Sequence, residues 1–311
     1  MKRVLLVDIG ATNTRLAIGW EEENQPTLYD IVQKKTPSSG EALVDRIVGY
    51  ARKRKELSMA SIASIGPLDL RKGWILETPN ISIGPYPIVE TLRSKLRVPV
   101  VLLNDCQAAV WGEFIYGKYR GTKNMVYITL SSGVGAGAIV DGHLLIGKRG
   151  NAHEVGHFIV NFDGKVRCGC GGLGHWEAYV GGKNIPRNAW ELINDYSGSK
   201  TPFYYKIIGN NFTVEELFNY ATEADPVANY LIEKILMITA AGISGVIAAY
   251  DPEIIILGGT LFHKGLSRVL DKIVNYLKLY SLHENVTLSV SSYPAKEPLV
   301  GALAAGIHPV T

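Results

Sequence analysis

The sequence predicts an α/β fold in which two lobes pack around a central cleft, and three observations lead to this prediction. Short apolar runs typical of strands alternate with amphipathic runs typical of helices. One unit, a strand followed by a tip of small residues and a second strand, occurs twice. No linker or low-complexity segment divides the 311 residues.

The repeated unit is a β-hairpin whose tip contains glycine. The two copies begin at Val4 and Val126, and their tips coincide when these starts are aligned. The repeat favours a duplicated domain, although glycine turns are common enough in hairpins for such a similarity to arise by chance. Strand, tip and second strand cover residues 4–8, 10–13 and 15–18 in the first copy and residues 126–130, 131–137 and 138–140 in the second.

The remaining elements follow from hydrophobic periodicity. Helices are predicted near residues 41–55, 89–96, 214–221 and 226–250, and strands at residues 61–65, 98–103 and 253–257. An Ala-rich helix should follow Asp105. We expect a small lobe of residues 1–117 with 299–311 and a larger lobe of residues 118–298.

Composition and charge exclude several classes of protein. The net charge is +3, and the densest basic run, residues 52–55, ends a predicted helix, which favours a solvated helix end over a nucleic-acid surface. The apolar run after the basic start covers only residues 4–7, which is too short for a secretory signal. Residues 235–250 are apolar but shorter than the roughly 20 residues of a membrane span, so we expect a buried helix there. Three cysteines, two of them one residue apart, favour a reducing, cytoplasmic compartment over a disulfide framework.

The first tip has the parts of a phosphate clamp. Gly10 and Ala11 allow a phosphate to approach the backbone, and Thr12 and Asn13 add side-chain donors. Asp8 ends the strand, where it could hold Mg²⁺ directly or through water. The tip lacks the Lys and Ser/Thr of a Walker loop, and an ordinary hairpin turn is the alternative interpretation.

The second tip carries glycine at alternate positions among small residues, which is uncommon in a surface turn. Two such tips could hold the two ends of a triphosphate, and the glycine pair after the strand at residues 253–257 would suit an adenosine contact. That pair could equally be a plain strand-to-helix turn. The candidate residues are Ser131, Ser132, Gly133, Gly135, Gly258 and Gly259.

Asn104 and Asp105 follow an apolar strand, and ligands of α/β proteins bind beyond the carboxyl ends of strands. A carboxylate at this place can accept the proton of a hydroxyl group that attacks a γ-phosphate. It can equally cap the following helix, because Asp is a good N-cap residue. Position alone does not decide between these two roles for Asp105.

The densest group of reactive side chains lies between residues 154 and 177. Two cysteines and two histidines make a four-ligand zinc set, although a Gly-rich loop with incidental Cys and His is the alternative. Two glutamates flank the set and suit hydrogen bonds to the hydroxyls of a sugar. The zinc candidates are His157, Cys168, Cys170 and His175, and the flanking carboxylates are Glu154 and Glu177.

Taken together, these motifs resemble the ROK family of sugar kinases (repressors, open reading frames and kinases) of the actin and hexokinase superfamily. The resemblance covers nearly the whole chain. It rests on Asp8-Ile-Gly-Ala-Thr-Asn13, Gly66-Pro-Leu-Asp69, Thr78-Pro-Asn80, Asn104-Asp105, Thr129-Leu-Ser-Ser-Gly-Val-Gly-Ala-Gly137, Glu154-Val-Gly-His157 and the block from Cys168 to Glu177.

The resemblance implies an actin-like ATPase fold of the ribonuclease H type and a role for each matching residue. Asp105 would activate the 6-hydroxyl of a glucose-like hexose, with ATP and Mg²⁺ as cofactors and a structural Zn²⁺. The sugar would be held by Gly66, Asn80, Asn104, Glu154, His157 and Glu177. Kinases of N-acetylated amino sugars or of fructose share this pocket motif, so the hexose stays open. A homodimer is also implied.

Some positions depart from the family pattern. His175 stands where a third zinc cysteine is usual, Ala11 replaces the second glycine of the first loop, and Ser131-Ser132 replaces Gly-Thr in the second. Cys106 follows the predicted base where a small residue is usual, and we interpret it as an inert buried thiol. Some family members are repressors with a helix-turn-helix domain before the first loop. Because that loop starts at Asp8, we expect no DNA-binding function.

Overall fold

The computed structural model describes residues 2–54, 56–77, 83–282 and 286–310, and the chain divides into two compact units. Unit 1 comprises Met1–Tyr127, Gly137–His153 and Ser291–Thr311, and unit 2 comprises Ile128–Ala136 and Glu154–Val290. The chain therefore crosses between the units four times.

Unit 1 is built on a five-stranded sheet with helices on both faces. Its elements up to residue 116 are β1 (Arg3–Ile9), β2 (Asn13–Glu22), β3 (Gln25–Lys35), α1 (Gly40–Ala51), β4 (Leu57–Ser64), β5 (Leu68–Asp69), β6 (Trp74–Ile75), α2 (Ile88–Leu96), β7 (Val100–Asn104) and α3 (Asp105–Tyr116). The strand order is β3-β2-β1-β4-β7. β1 is antiparallel to β2 and parallel to β4, and β4 is parallel to β7.

The alternation of side chains along β1 explains how this sheet is covered. Leu5, Val7 and Ile9 belong to one buried cluster with the apolar residues of α1 and α2. The opposite face packs against α11 (Glu297–Ile307), where Val4 approaches Gly306. Each face buries its apolar residues, which is the layered arrangement expected of an α/β unit.

The second sheet repeats the strand order of the first. Its strands are β8 (Met125–Leu130), β9 (Val134–Val140), β10 (His143–Leu144), β11 (Ile254–Gly258) and β12 (Thr287–Val290), in the order β10-β9-β8-β11-β12. In each sheet the first hairpin strand has its hairpin partner on one side and a later strand on the other. β11 and β12 are parallel, like β4 and β7. This shared topology supports the duplication predicted from the two tips.

Helices make up most of unit 2. They are α4 (Trp176–Val180), α5 (Ile185–Leu192), α6 (Pro202–Ile208), α7 (Val214–Thr222), α8 (Pro226–Tyr250), α9 (Thr260–Lys264) and α10 (Leu270–Tyr280). The predicted helix at residues 226–250 is confirmed as α8. By length and composition α8 could cross a membrane, but 56% of its most apolar window is buried inside the protein. Its Gly242 lies against the Trp176 ring, so α8 is a core helix of this unit.

The bounds of the two units differ from those predicted for the lobes. Residues 137–153 belong to unit 1, because Gln107 of α3 donates to the carbonyls of Ile146 and Gly150 and thereby holds this segment. Ser291 also belongs to unit 1, because its hydroxyl donates to the buried carboxylate of Glu113 at 2.8 Å. Side-chain hydrogen bonds over long sequence separations thus join both segments to α3 of unit 1.

Candidate active site

Three parallel strands of unit 1 end at one edge of the sheet, and each is followed by predicted site residues. Ile9 of β1 pairs with Ser64 of β4, and Ser64 pairs with Asn104 of β7. Adjacent strands are about 4.8 Å apart, so the first tip and the start of α3 lie within roughly 10 Å of each other across this edge. Gly66 follows the middle strand. The register therefore brings the first tip, Gly66 and Asp105 together.

Asn104, and not Asp105, is the N-cap of α3. The Asn104 side chain accepts hydrogen bonds from the backbone N–H groups of Cys106 at 2.9 Å and Gln107 at 3.3 Å. Asp105 is the first helical residue, and its Oδ1 accepts from the N–H of Cys106 at 2.9 Å. The helix start therefore does not depend on Asp105 as its cap, and the positive end of the helix dipole favours the charged carboxylate.

Close backbone packing fixes the position of α3. A side-chain carbon at Gly112 would lie 2.8 Å from the backbone nitrogen of Gly301, so α3 and α11 can cross at this distance only with glycine present. Behind the first turn of α3, a carbon added at Gly137 would lie 2.3 Å from the carbonyl oxygen of Cys106. The Cys106 side chain is buried, in agreement with an inert thiol. Asp105 therefore begins a rigidly held helix.

The first tip is a tight turn stabilised by its own backbone. The N–H of Gly10 donates to the carbonyl of Asn13 at 3.0 Å, and the Thr36 hydroxyl donates to the carbonyl of Gly10 at 2.7 Å. Asn13 already belongs to β2, so the predicted tip was one residue too long at this end. Because the Gly10 N–H is used within the turn, the donors left for a phosphate are those of Ala11, Thr12 and Asn13.

Asp8 forms an ion pair that sequence reasoning missed. Arg15 faces Asp8 across the β1–β2 ladder, and its guanidinium lies 2.5 Å from Oδ2 of Asp8. Burial raises the pKa of the Asp8 carboxyl, while the charge of Arg15 opposes this rise. The sequence does contain a signal for this pair: Arg15 lies seven positions after Asp8, on the opposite strand of the predicted hairpin.

The second tip is shorter than predicted and is held by other parts of unit 2. β9 begins at Val134, so Gly135 lies in a strand and the turn consists of residues 131–133. The carbonyl groups of Ser131 and Ser132 accept from the N–H groups of Gly182 and Lys183 at 2.8 and 3.1 Å. These carbonyls therefore point into unit 2 and not towards a ligand.

Gly258 and Gly259 lie directly beside the second tip. Gly258 ends β11, and Gly259 has a φ of 92°, which favours glycine. A carbon added at Gly259 would lie 2.5 Å from the carbonyl oxygen of Leu130, so packing against β8 by itself demands glycine here. The next residue, Thr260, joins its hydroxyl to that of Ser131 at 2.9 Å. Sequence reasoning did not identify Thr260.

His157, Cys168, Cys170 and His175 converge within unit 2. One ligand atom from each of them lies within 4.8 Å of the others. Nδ1 of His157 is 3.8 Å from Sγ of Cys168 and 3.6 Å from Sγ of Cys170, and Nδ1 of His175 is 3.3 Å from the latter. Tetrahedral zinc with ordinary bond lengths places sulfur and nitrogen ligands about 3.5 Å apart. The three sulfur–nitrogen distances therefore suit a single tetrahedral ion.

Burial shifts the pKa values of two side chains in this cluster towards their uncharged forms. It lowers the pKa of His175, which favours the neutral imidazole that binds metal ions. Burial raises the pKa of the Cys168 thiol to about 12, so a cation would have to displace its proton. On the other side of the His157 ring, Nε2 lies 3.8 Å from Oε2 of Glu154, which is too long for a hydrogen bond.

Glu177 connects this cluster to the second tip. Its Oε2 accepts from the N–H of Val134 at 3.0 Å, and its Oε1 lies 3.7 Å from Sγ of Cys168. A carbon added at Gly133 would lie 2.3 Å from Oε2, so the tip fits closely around the carboxylate. Asn80, the remaining predicted sugar contact, lies outside the described residues.

Comparisons with known proteins agree with this arrangement. A family model described as "ROK family" matches residues 4–307. The glucokinase of Aeropyrum pernix is 37% identical over 314 residues, which cover 98% of this chain and 96% of that protein. Among solved structures, the ROK hexokinase from Thermus thermophilus has a TM-score of 0.81 at 26% identity and covers 98% of each chain. A ROK family glucokinase from Streptomyces griseus, in complex with glucose and AMPPNP, has a TM-score of 0.79 at 28% identity, covering 97% of this chain and 98% of that one. The predicted α/β, actin-like fold is confirmed.

Proposed function

Because the chain belongs to the ROK family, we propose that it is an ATP-dependent kinase that phosphorylates the 6-hydroxyl of glucose or of a range of related hexoses. Asp105 serves as the general base. The observation that carries this proposal is the shared sheet edge of unit 1, where the first tip follows β1 and Asp105, which is not the N-cap of α3, follows β7, with only β4 between the two strands.

In the proposed reaction Asp105 accepts the proton of the sugar hydroxyl as that oxygen attacks the γ-phosphorus of ATP. The bond from the γ-phosphorus to the bridging oxygen breaks, and ADP leaves. Asn104 contributes to sugar binding through its Nδ2, because its Oδ1 is engaged as the helix cap. Gly66, Asn80, Glu154, His157 and Glu177 complete the proposed set of sugar contacts.

ATP and Mg²⁺ are assigned to the two tips. The proposed nucleotide contacts are residues 10–13 of the first tip, residues 131–133 of the second tip, and Gly135, Gly258 and Gly259. Bound Mg²⁺ would neutralise the charge that develops on the phosphates. Oδ1 of Asp8 is the oxygen suited to Mg²⁺, directly or through water, because Oδ2 is paired with Arg15.

Zinc is assigned to His157, Cys168, Cys170 and His175, on the fit of their sulfur–nitrogen distances to a tetrahedral site. Its contribution would be structural: it would fix the segment that carries Glu154 and His157 next to the start of α4, which carries Glu177, and it would perform no chemical step. We further propose a cytoplasmic homodimer whose partners are hexose and ATP.

The test is an assay of ADP release with Mg-ATP across glucose, mannose, fructose, N-acetylglucosamine and N-acetylmannosamine. We expect the highest kcat/KM with glucose or with several unmodified hexoses. Product analysis should place the phosphate on the 6-hydroxyl. If an N-acetylated sugar or fructose is clearly preferred, that sugar replaces glucose as the proposed substrate. If no sugar gives ADP release, the proposed kinase function is refuted.

A further inference from the structure

Residues 146–151 of unit 1 are docked onto the loop that follows β4. The side-chain amide of Asn151 makes two hydrogen bonds to one residue of that loop: its Oδ1 accepts from the N–H of Leu68, and its Nδ2 donates to the carbonyl of Leu68, both at 2.7 Å. A third bond joins the N–H of Leu70 to the carbonyl of Arg149 at 2.9 Å. Leu68 pairs with Ile75 of β6, and the Asn151 side chain supplies partners for the backbone N–H and carbonyl of Leu68.

The same segment is also fastened to the helix that begins with Asp105. Gln107, which is fully buried, donates through Nε2 to the carbonyl of Gly150 at 3.2 Å. Gly150 has a φ of 101°, and a side-chain carbon there would lie 2.3 Å from Cγ of Leu70. The segment therefore packs against both the loop after β4 and the first turn of α3.

We infer that Asn151 is a positioning residue for the sugar. It sets the backbone of residues 66–69 relative to Asp105, through Leu68 on one side and through the Gly150–Gln107 hydrogen bond on the other. In this role Asn151 acts through the backbone that presents Gly66 and not through a contact of its own with the substrate. The inference rests on the proposed function, because it takes Gly66 as a sugar contact.

The expected signature separates sugar from nucleotide. Gly66 is proposed to contact a part of the sugar that does not react, so displacing residues 66–69 should weaken binding of the ground state and of the transition state alike. Such a change raises KM and leaves kcat unchanged. The first tip is stabilised by its own backbone and by Thr36, so ATP binding should be unaffected.

The experiment compares Asn151→Asp and Asn151→Ala with the wild type. Asp keeps the acceptor for the Leu68 N–H but sets a carboxylate against the Leu68 carbonyl, whereas Ala removes both bonds without adding charge. Asn124→Ala is the matched control, because it removes a side-chain acceptor for the N–H of Asp141 in the same unit. KM and kcat for glucose and for ATP, the melting temperature, and glucose binding without ATP are measured.

We expect both Asn151 variants to raise the glucose KM and Kd at least about 10-fold, a loss of 1.4 kcal/mol. The ATP KM and kcat should stay within about threefold of wild type, and the control should match wild type throughout. Two results would overturn the inference: an unchanged glucose KM, or equal rises in the KM values for glucose and ATP together with a lowered melting temperature. If the wild type is active on glucose, the kinase proposal stands in either case. A wild type that binds glucose but releases no ADP refutes the kinase proposal, and glucose titrations of the variants then decide the role of Asn151.

Discussion

Replacing Gly133 with alanine should disable the second tip through Glu177. In the structure Oε2 of Glu177 lies 3.0 Å from the N–H nitrogen of Val134. The new methyl carbon would lie 2.3 Å from that oxygen and 3.0 Å from Cδ of the same carboxylate. Ordinary contact needs about 3.4 Å, so the carboxylate must move by roughly 1 Å, which breaks its hydrogen bond.

The size of the effect follows from the bond that is lost. A hydrogen bond to a charged acceptor contributes about 1.5–3 kcal/mol. If the tip is ordered for ATP by this bond, kcat/KM for ATP should fall by about 10- to 150-fold, since each 1.4 kcal/mol is a factor of ten. The carboxylate also leaves Cys168, so zinc content should be measured on the same sample.

The assay is steady-state ADP release at saturating glucose with varied Mg-ATP. Gly49→Ala in α1 is the control for adding a methyl group, because nothing lies within 4 Å of the position where its Cβ would stand. The control should keep the kcat/KM of the wild type. If Gly133→Ala keeps a kcat/KM for ATP within twofold of wild type, the tip tolerates displacement of Glu177 and the reasoning fails.

Three further predictions concern metal, pH and packing. Cys170→Ser should lower bound zinc from about one ion per chain to less than half, whereas His175→Cys should retain the ion. Metal analysis of the purified proteins measures this content. A full complement of zinc in the Cys170→Ser protein would contradict the proposed ligand set. Burial raises the pKa of Glu113, so its contribution to stability is present at low pH and lost as pH rises through that pKa. Glu113→Gln, which cannot ionise, should therefore melt at a higher temperature than wild type at pH 8, with the gap closing below pH 4; a constant gap would contradict this. Gly242→Ala should lower the melting temperature, because the added methyl group would lie 2.3 Å from the buried Trp176 ring. Overpacking costs about 1–3 kcal/mol, which exceeds the helix propensity gained by replacing glycine with alanine. An unchanged or higher melting temperature would contradict this.

Strong periodicity made several elements predictable from sequence. The helix α8 was predicted with its observed bounds, and the second strand of the first hairpin, β2, begins only two residues before its predicted start. This difference has a physical cause, because Asn13 and Thr14 pair with Lys35 and Lys34 of β3. β3 itself was not predicted, since it is largely exposed and its polar residues give no alternating pattern.

The candidate site was predictable in its residue types but not in its contacts. The choice between capping and catalysis for Asp105 stayed open in the sequence, and the structure gives the cap to Asn104. Gly259 suggested a ligand contact, yet its neighbour is the carbonyl of Leu130, more than a hundred residues earlier in the chain. Such assignments depend on long-range pairing, which the local sequence does not encode.

The central claim, that Asp105 is the base of a hexose kinase, is tested most directly by the kcat of Asp105→Asn. Asn can still accept from the Cys106 N–H, and Asn104 still caps α3, so the variant should melt near the wild-type temperature and bind glucose with unchanged Kd. Because a general base typically contributes 10²–10⁴-fold, we expect kcat to fall at least about 100-fold. A folded variant whose kcat stays within threefold of wild type would contradict the account.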